Sequence, residues 1–192
     1  MKRRVHIIYT PGLGDRYDPI RRACLSVWRM YGVRVTMVPM RWMSDEAYGD
    51  KRARVEEIIH KSSDEKIVLM GESAGGSMAL TLYAEHVNTL VGLVTLCGKN
   101  TRSDNVSSYL YRRNPAFQDS MHRAEVVAIG LSRADRRRFV SVVPWYDPTV
   151  PVAQTLLPGC QKMTLPAVGH LFSIFAMLTI YAPLIVHRVN KL

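Results

Sequence analysis

Residues 66–76 read KIVLMGESAGG, and this stretch decides the fold. The run Lys66–Met70 is short and largely apolar, which is typical of a β-strand buried on both faces. It continues through Gly71-Glu72-Ser73-Ala74-Gly75 directly into an apolar helical segment, Ala74–His86. Only small side chains fit two residues before and after a serine on so sharp a turn. The stretch therefore predicts a strand, a strained turn that presents the Ser73 hydroxyl, and a helix.

The rest of the chain repeats this alternation of short apolar runs and longer helical segments. The predicted strands are Val5–Thr10, Val33–Val38, Lys66–Met70, Leu90–Leu96, Arg138–Val143 and Gln161–Leu165. The predicted helices are Pro19–Tyr31, Asp45–Lys61, Ala74–His86, Asp119–Leu131, Pro151–Leu157 and Leu171–Val189. This order predicts a single three-layer α/β domain over residues 1–192, with a mostly parallel sheet of about six strands and helices on both faces.

Three helices and one loop carry more specific expectations. The apolar stripe of the first helix is formed by Ile20, Ala23, Val27 and Met30. Asp119 is the predicted N-cap of the fourth helix, and Pro183 is predicted to interrupt the last one. Gly98–Gln118 is polar, basic and without clear periodicity, so it is predicted to form a small flap in place of a lid.

A serine hydroxyl becomes a nucleophile when a base lies within hydrogen-bond reach, and the base needs a group that orients it. His170 follows a predicted strand directly and is the candidate base, while Asp147 follows the strand before it and is the candidate acid. Asp135 is the reserve acid, ranked lower because arginines surround it. The other histidines fall in a predicted strand or in or at the ends of predicted helices: His6, His60, His86, His122 and His187.

If Ser73 attacks a carbonyl group, negative charge develops on the carbonyl oxygen, and two backbone N–H donors are needed to stabilise it. The N–H of Ala74, next to the serine, is one candidate. The N–H of Leu13 is the other, because Pro11-Gly12-Leu13-Gly14 follows the first predicted strand and its glycines allow close approach of the backbone.

Taken together, these segments resemble the α/β-hydrolase superfamily over almost the whole chain. Gly71–Gly75 resembles the nucleophile elbow, 147–151 the acid segment, 169–170 the histidine loop and 11–14 the oxyanion loop, without the family's frequent His at position 11. The resemblance implies a trimmed sheet of six strands that lacks two N-terminal strands of larger members. It also implies an acyl-enzyme mechanism with Ser73 as nucleophile, His170 as base and Asp147 as acid.

The expected activity is cleavage of small or short-acyl carboxylic esters through an acyl-serine intermediate, without cofactor or metal. An acyltransferase or thioesterase using the same three residues is one alternative, and a non-catalytic binding module on the same fold is another. Aromatic side chains that could line the acyl site are Trp42, Tyr109, Tyr111, Trp145 and Phe172.

Composition is ordinary for a globular protein of 192 residues, with 47% hydrophobic and 22% charged residues, so a disordered or fibrous chain is excluded. The net charge of +10 predicts a solvated basic surface, with weak association with anionic surfaces as the alternative. Nucleic-acid binding is not expected, because no basic motif interleaved with aromatics occurs. Three separated cysteines in apolar surroundings favour free thiols in the cytoplasm. The apolar run Leu171–Val186 is short for a bilayer span and is predicted to be a buried helix.

Overall fold

A computed structural model describes residues 4–62 and 65–192. The strands are β1 Val5–Thr10, β2 Arg34–Met37, β3 Lys66–Glu72, β4 Gly92–Leu96, β5 Phe139–Tyr146 and β6 Gln161–Val168. The α-helices are α1 Asp18–Ser26, α2 Tyr48–Lys61, α3 Gly75–Glu85, α4 Ser108–Arg113, α5 Pro115–Gly130, α6 Arg133–Arg137, α7 His170–Leu178 and α8 Ala182–Val189. All the strands pair in parallel, in the order β2-β1-β3-β4-β5-β6. The predicted α/β fold class is confirmed.

The sheet separates two apolar clusters, because successive residues of a strand point to opposite faces. Ile8 and Leu69 face the cluster that α2, α3 and α5 cover, which contains Met78 and Met121. Ile7 and Val68 face the other cluster, which α1, α7 and α8 cover. Each layer of helices thus buries one face of the sheet, and the four central strands, β1, β3, β4 and β5, are apolar along most of their length for that reason.

All six predicted strands are present, but three of them end later than predicted. β3 continues to Glu72, β5 to Tyr146 and β6 to Val168. Since the strands are parallel, their carboxyl ends lie at one edge of the sheet. Ser73, Asp147 and the pair Gly169-His170 therefore all follow strands at that same edge.

The first helix buries a different face from the one predicted. Ile20, Val27 and Met30 are 53%, 45% and 77% exposed, and Ala23 is exposed as well. The buried face consists of Arg21, Leu25 and Trp28, of which Arg21 and Leu25 belong to α1 and Trp28 to the 3₁₀ turn that follows it. Arg21 can occupy this face because it meets a buried carboxylate, described below.

The segment predicted as an irregular flap is largely helical. It contains a 3₁₀ turn at Ser103–Asn105, all of α4 and the first turn of α5. Because α5 begins at Pro115 with Asn114 as its N-cap residue, the prediction of Asp119 as N-cap was wrong. The short helix predicted over Pro151–Leu157 is only a 3₁₀ turn at Val152–Gln154.

The last predicted helix is two helices, α7 and α8. The break lies before Pro183, which occupies the first turn of α8, where a proline costs no hydrogen bond. Across the described residues, no one helix has the length and apolarity to cross a membrane; α7 and α8 would have them jointly but are bent by 69° at their break.

Candidate active site

Ser73 occupies the turn between β3 and α3 with a left-handed backbone, φ +48°. Its N–H donates to Leu96 O at 3.0 Å, and its carbonyl accepts from Gly76 N–H at 2.9 Å. A Cβ on Gly71 would lie 2.5 Å from Gly75 O, and one on Gly75 would lie 2.1 Å from Thr10 O. The glycines around Ser73 are therefore required sterically, as the sequence predicted.

His170 reaches Ser73 from the end of β6. The pairing of β5 with β6 continues past a bulge to Tyr146 and Val168, and the N–H of Gly169 donates to Tyr146 O at 2.9 Å. Gly169 has φ +86°, and His170 is the first residue of α7 rather than a loop residue. This geometry sets His170 Nε2 2.9 Å from Ser73 Oγ.

Asp147 lies on the other side of the imidazole, immediately after β5. Its Oδ2 is 2.6 Å from His170 Nδ1, and its Oδ1 accepts from the N–H groups of Thr149 and Val150 at 2.9 Å each. Burial acts to raise the pKa of the Asp147 carboxyl, but the hydrogen bonds from His170 and these N–H groups outweigh it and lower the pKa. The carboxylate is thus held ionised against Nδ1, which favours the tautomer with Nδ1 protonated.

Asp135, the reserve acid, is occupied elsewhere. It caps α6 together with Ser132, and its Oδ1 is 2.8 Å from Arg138 Nη2. Of the two carboxylates considered, Asp147 alone contacts His170.

A buried ion pair lies beneath the turn. Glu72, the residue before Ser73, meets Arg21 of α1 through Nη2–Oε1 and Nε–Oε2 contacts of 2.6 and 2.9 Å, and Tyr9 OH also donates to it. Arg21 donates in addition to Leu13 O at 3.2 Å and Gly14 O at 3.0 Å. One guanidinium therefore ties the loop after β1 to the turn that carries Ser73.

A cavity of about 210 Å³ opens beside Ser73. Its apolar lining comes from Leu13, Ala74, Val106, Leu110, Phe117 and Val150. Its polar lining comes from Ser73, Lys99, Asn105, Ser107 and Thr149. Leu13 and Ala74, the two predicted oxyanion donors, thus border the same cavity as Ser73, whereas His170 does not line it.

The five aromatic residues predicted to line an acyl site lie outside this cavity. Trp42 is 1% exposed, and its indole N–H donates to Pro11 O, while Tyr111 is buried and donates to Ser103 O. The remaining three point to solvent and are 60–69% exposed: Tyr109, Trp145 and Phe172. Smaller aliphatic groups and Phe117 form the wall in their place.

Sequence reasoning also missed the ionic groups nearest the serine. Glu72 is a charged residue at the end of an otherwise apolar strand. Arg21, Leu25 and Trp28 have the spacing i, i+4, i+7, which places them on one face of a helix. Either pattern could have revealed the residue. Lys99 carried no such signal, because it lies in a loop whose path the sequence does not specify.

One cluster near the site has the composition of a metal-binding site. The ligand atoms of Cys97, Asp147 and His170 lie within 4.8 Å of one another. However, Asp147 and His170 are hydrogen-bonded to each other, and burial raises the pKa of the Cys97 thiol, which disfavours the thiolate that binds metals. The cluster therefore fits a hydrogen-bonded arrangement better than a metal centre.

The sheet order, the turn at Ser73 and the strand-end positions of Asp147 and His170 define a protein with the α/β-hydrolase fold. Solved structures agree. A metagenome-derived lipolytic enzyme from the LipS and LipT pair aligns at 14% identity and a TM-score of 0.68, over 98% of this chain and 93% of the other. The metagenomic carboxyl esterase MGS0156 aligns at 15% identity and a TM-score of 0.70, over 100% and 77%.

The monoacylglycerol lipase of Paleococcus ferrophilus aligns at 13% identity and a TM-score of 0.63, over 96% of this chain and 91% of its own. No protein-family model matches the sequence, and no curated protein matches it. At such low identities, the likeness establishes the fold and leaves the chemistry to the residues of the site.

Proposed function

We propose that this protein is a serine hydrolase that cleaves carboxylic esters through an acyl-Ser73 intermediate. The observation that carries the proposal is the continuous hydrogen-bond chain from Ser73 Oγ through His170 to Asp147, with contacts of 2.9 and 2.6 Å. A serine at the end of such a chain can lose its proton as it attacks a carbonyl carbon.

In this mechanism His170 Nε2 takes the Ser73 Oγ proton while Oγ bonds to the ester carbonyl carbon. The N–H groups of Leu13 and Ala74 stabilise the negative charge on the carbonyl oxygen. The tetrahedral intermediate then expels the alcohol oxygen, which receives the proton from His170, and leaves the acyl group on Ser73. Water enters, gives its proton to His170 and releases the acid by the same steps in reverse. Asp147 stays ionised and stabilises the imidazolium in both halves.

The size of the cavity supports small substrates. Its volume of about 210 Å³ is below the roughly 300–1,000 Å³ of pockets that enclose drug-sized ligands. A short acyl group is therefore the proposed occupant. The structural neighbours whose names include lipolytic enzyme, carboxyl esterase and monoacylglycerol lipase are consistent with ester cleavage.

The test is labelling with a fluorophosphonate probe, combined with hydrolysis of p-nitrophenyl acetate. Ser73→Ala should abolish both while the circular dichroism spectrum is retained. Ser26→Ala is the matched control, because Ser26 is exposed at the end of α1, does not line this cavity and should keep both signals. Labelling of Ser73→Ala at the wild-type level would refute the proposal. Product analysis with added alcohols would separate hydrolysis from acyl transfer.

A further inference from the structure

Lys99 is a buried lysine among the residues that line the cavity beside Ser73. The residue is 5% exposed, and it is one of the residues that line that cavity. Its backbone N–H donates to Ser73 O at 2.9 Å, which fixes its position relative to the candidate nucleophile. A lysine is rarely so buried unless it has a partner that needs its charge.

No carboxylate of the protein supplies that partner within the described residues. The Nζ of Lys99 donates to the side-chain oxygen of Gln154, and no carboxylate oxygen in residues 4–62 or 65–192 lies within 4.0 Å of it. Asp104, whose charge acts on Lys99, is already paired with Arg102 at 2.9 Å. An ammonium has three N–H donors, so Lys99 keeps donors and a charge that the amide of Gln154 does not satisfy.

Burial also affects the protonation of this group. It lowers the pKa of the Lys99 ammonium, and the more distant Asp104 and Glu125 oppose the effect only in part. An anion bound against Nζ would favour the charged form and offset the loss of hydration. The rest of the lining is apolar or polar without charge, so the charge of Lys99 is the feature that distinguishes this cavity from a plain acyl pocket.

The cavity corresponds to the acyl side of the proposed reaction. It borders Ser73 and both candidate oxyanion donors, Leu13 and Ala74, but not His170. A leaving alcohol must lie within reach of His170 Nε2 to receive its proton, so it departs away from the cavity.

We propose that Lys99 binds a carboxylate at the far end of the acyl group, so that the preferred substrates are monoesters of short dicarboxylic acids. This inference rests on the proposed function and specifies its substrate class. A charge-assisted hydrogen bond in a buried site favours such an ester over its neutral counterpart by about 10- to 100-fold. Because Lys99 is shielded from solvent, salt should change this preference little.

The test compares two esters of equal chain length, monoethyl glutarate and ethyl pentanoate, by the ratio of their kcat/KM values. Wild type should favour the glutarate ester, and Lys99→Met should lower the ratio by about 10- to 100-fold. Lys162→Met removes the same charge from an exposed site on β6 and should leave the ratio unchanged. A ratio within one assay is independent of how much of each variant folds. Equal kcat/KM values for both esters in wild type would overturn the inference.

A binding experiment separates this inference from the proposed function. Ser73→Ala protein is titrated with each ester by NMR, alone and combined with Lys99→Met. Tighter binding of monoethyl glutarate that disappears with Lys99→Met supports the inference, even if the wild-type protein hydrolyses neither ester. The lack of hydrolysis would then overturn the proposed function but not the inference. Equal binding of the two esters to Ser73→Ala would overturn the inference whatever the catalytic result.

Discussion

Arg21→Met should destabilise the protein strongly, because it leaves the carboxylate of Glu72 buried without its cation. Both side chains are 1% exposed, and two contacts of 2.6 and 2.9 Å join them. Removing one partner of a buried ion pair costs about 3–5 kcal/mol, most of it from the charge left behind. The carbonyls of Leu13 and Gly14 lose hydrogen-bond donors in the same substitution. We therefore expect the free energy of unfolding to fall by about 3–5 kcal/mol.

The assay is urea unfolding followed by tryptophan fluorescence, with Trp28 and Trp42 as buried reporters. For a chain of this size, the expected loss corresponds to a decrease in Tm of about 10 °C. Arg102→Met is the control, since Arg102 and Asp104 form an exposed pair and the urea midpoint should not change.

The double variant Arg21→Met/Glu72→Met tests the physical cause. It removes the stranded charge along with the pair, so it should be more stable than Arg21→Met alone. If Arg21→Met unfolds within about 1 kcal/mol of wild type, as for a surface pair, the assignment of a buried ion pair beneath the Ser73 turn is refuted.

Three further predictions concern activity. Asp147→Asn should lower kcat by roughly a thousandfold or more, because an amide no longer holds the imidazole in the required tautomer. Asp135→Asn should leave kcat unchanged. The opposite pattern in steady-state assays would make Asp135 the acid. Hydrolysis of p-nitrophenyl esters should peak at short acyl chains, given a cavity of about 210 Å³, and a preference for long chains or a rate jump at the substrate interface would contradict that. Added NaCl should change kcat/KM equally for anionic and neutral esters if the basic surface is merely solvated; a steep decrease for anionic esters alone would show electrostatic steering.

The sequence predicted the sheet and the position of the site well, for a physical reason. The four central strands, β1, β3, β4 and β5, are buried along most of their length and must be mainly apolar, so they produced a clear signal, whereas the edge strands β2 and β6 are partly exposed. Parallel strands also present their carboxyl ends at one edge, so polar residues just beyond those ends were expected to meet. Ser73, Asp147 and His170 occupy such positions, and their side chains form the hydrogen-bond chain in the structure.

The predictions that failed depended on contacts between distant segments. In α1 the predicted stripe contained only apolar residues, but the buried face includes Arg21, whose burial is stabilised by Glu72, 51 residues away. The aromatic lining failed similarly, because the direction of each ring depends on its loop. Trp42 turns inward because Pro11 O accepts its indole N–H, and Trp145 remains 69% exposed at the end of β5. Periodicity within one segment can show that a residue such as Arg21 shares a buried face, but it does not identify the distant residue that pairs with it.

Much of the cavity wall comes from a single chain segment, which bears on how the substrate specificity of this protein could change. Asn105, Val106, Ser107, Leu110 and Phe117 all come from one short stretch between β4 and the body of α5. The groups that would perform the chemistry come from other strand ends, so mutations in this stretch can reshape the acyl site while the reacting atoms keep their geometry. In the proposed mechanism, this stretch and Lys99 would set the substrate range, while the reactivity would depend on residues elsewhere in the chain. A library randomised only over residues 105–117 is the natural starting point for directed evolution of a new specificity.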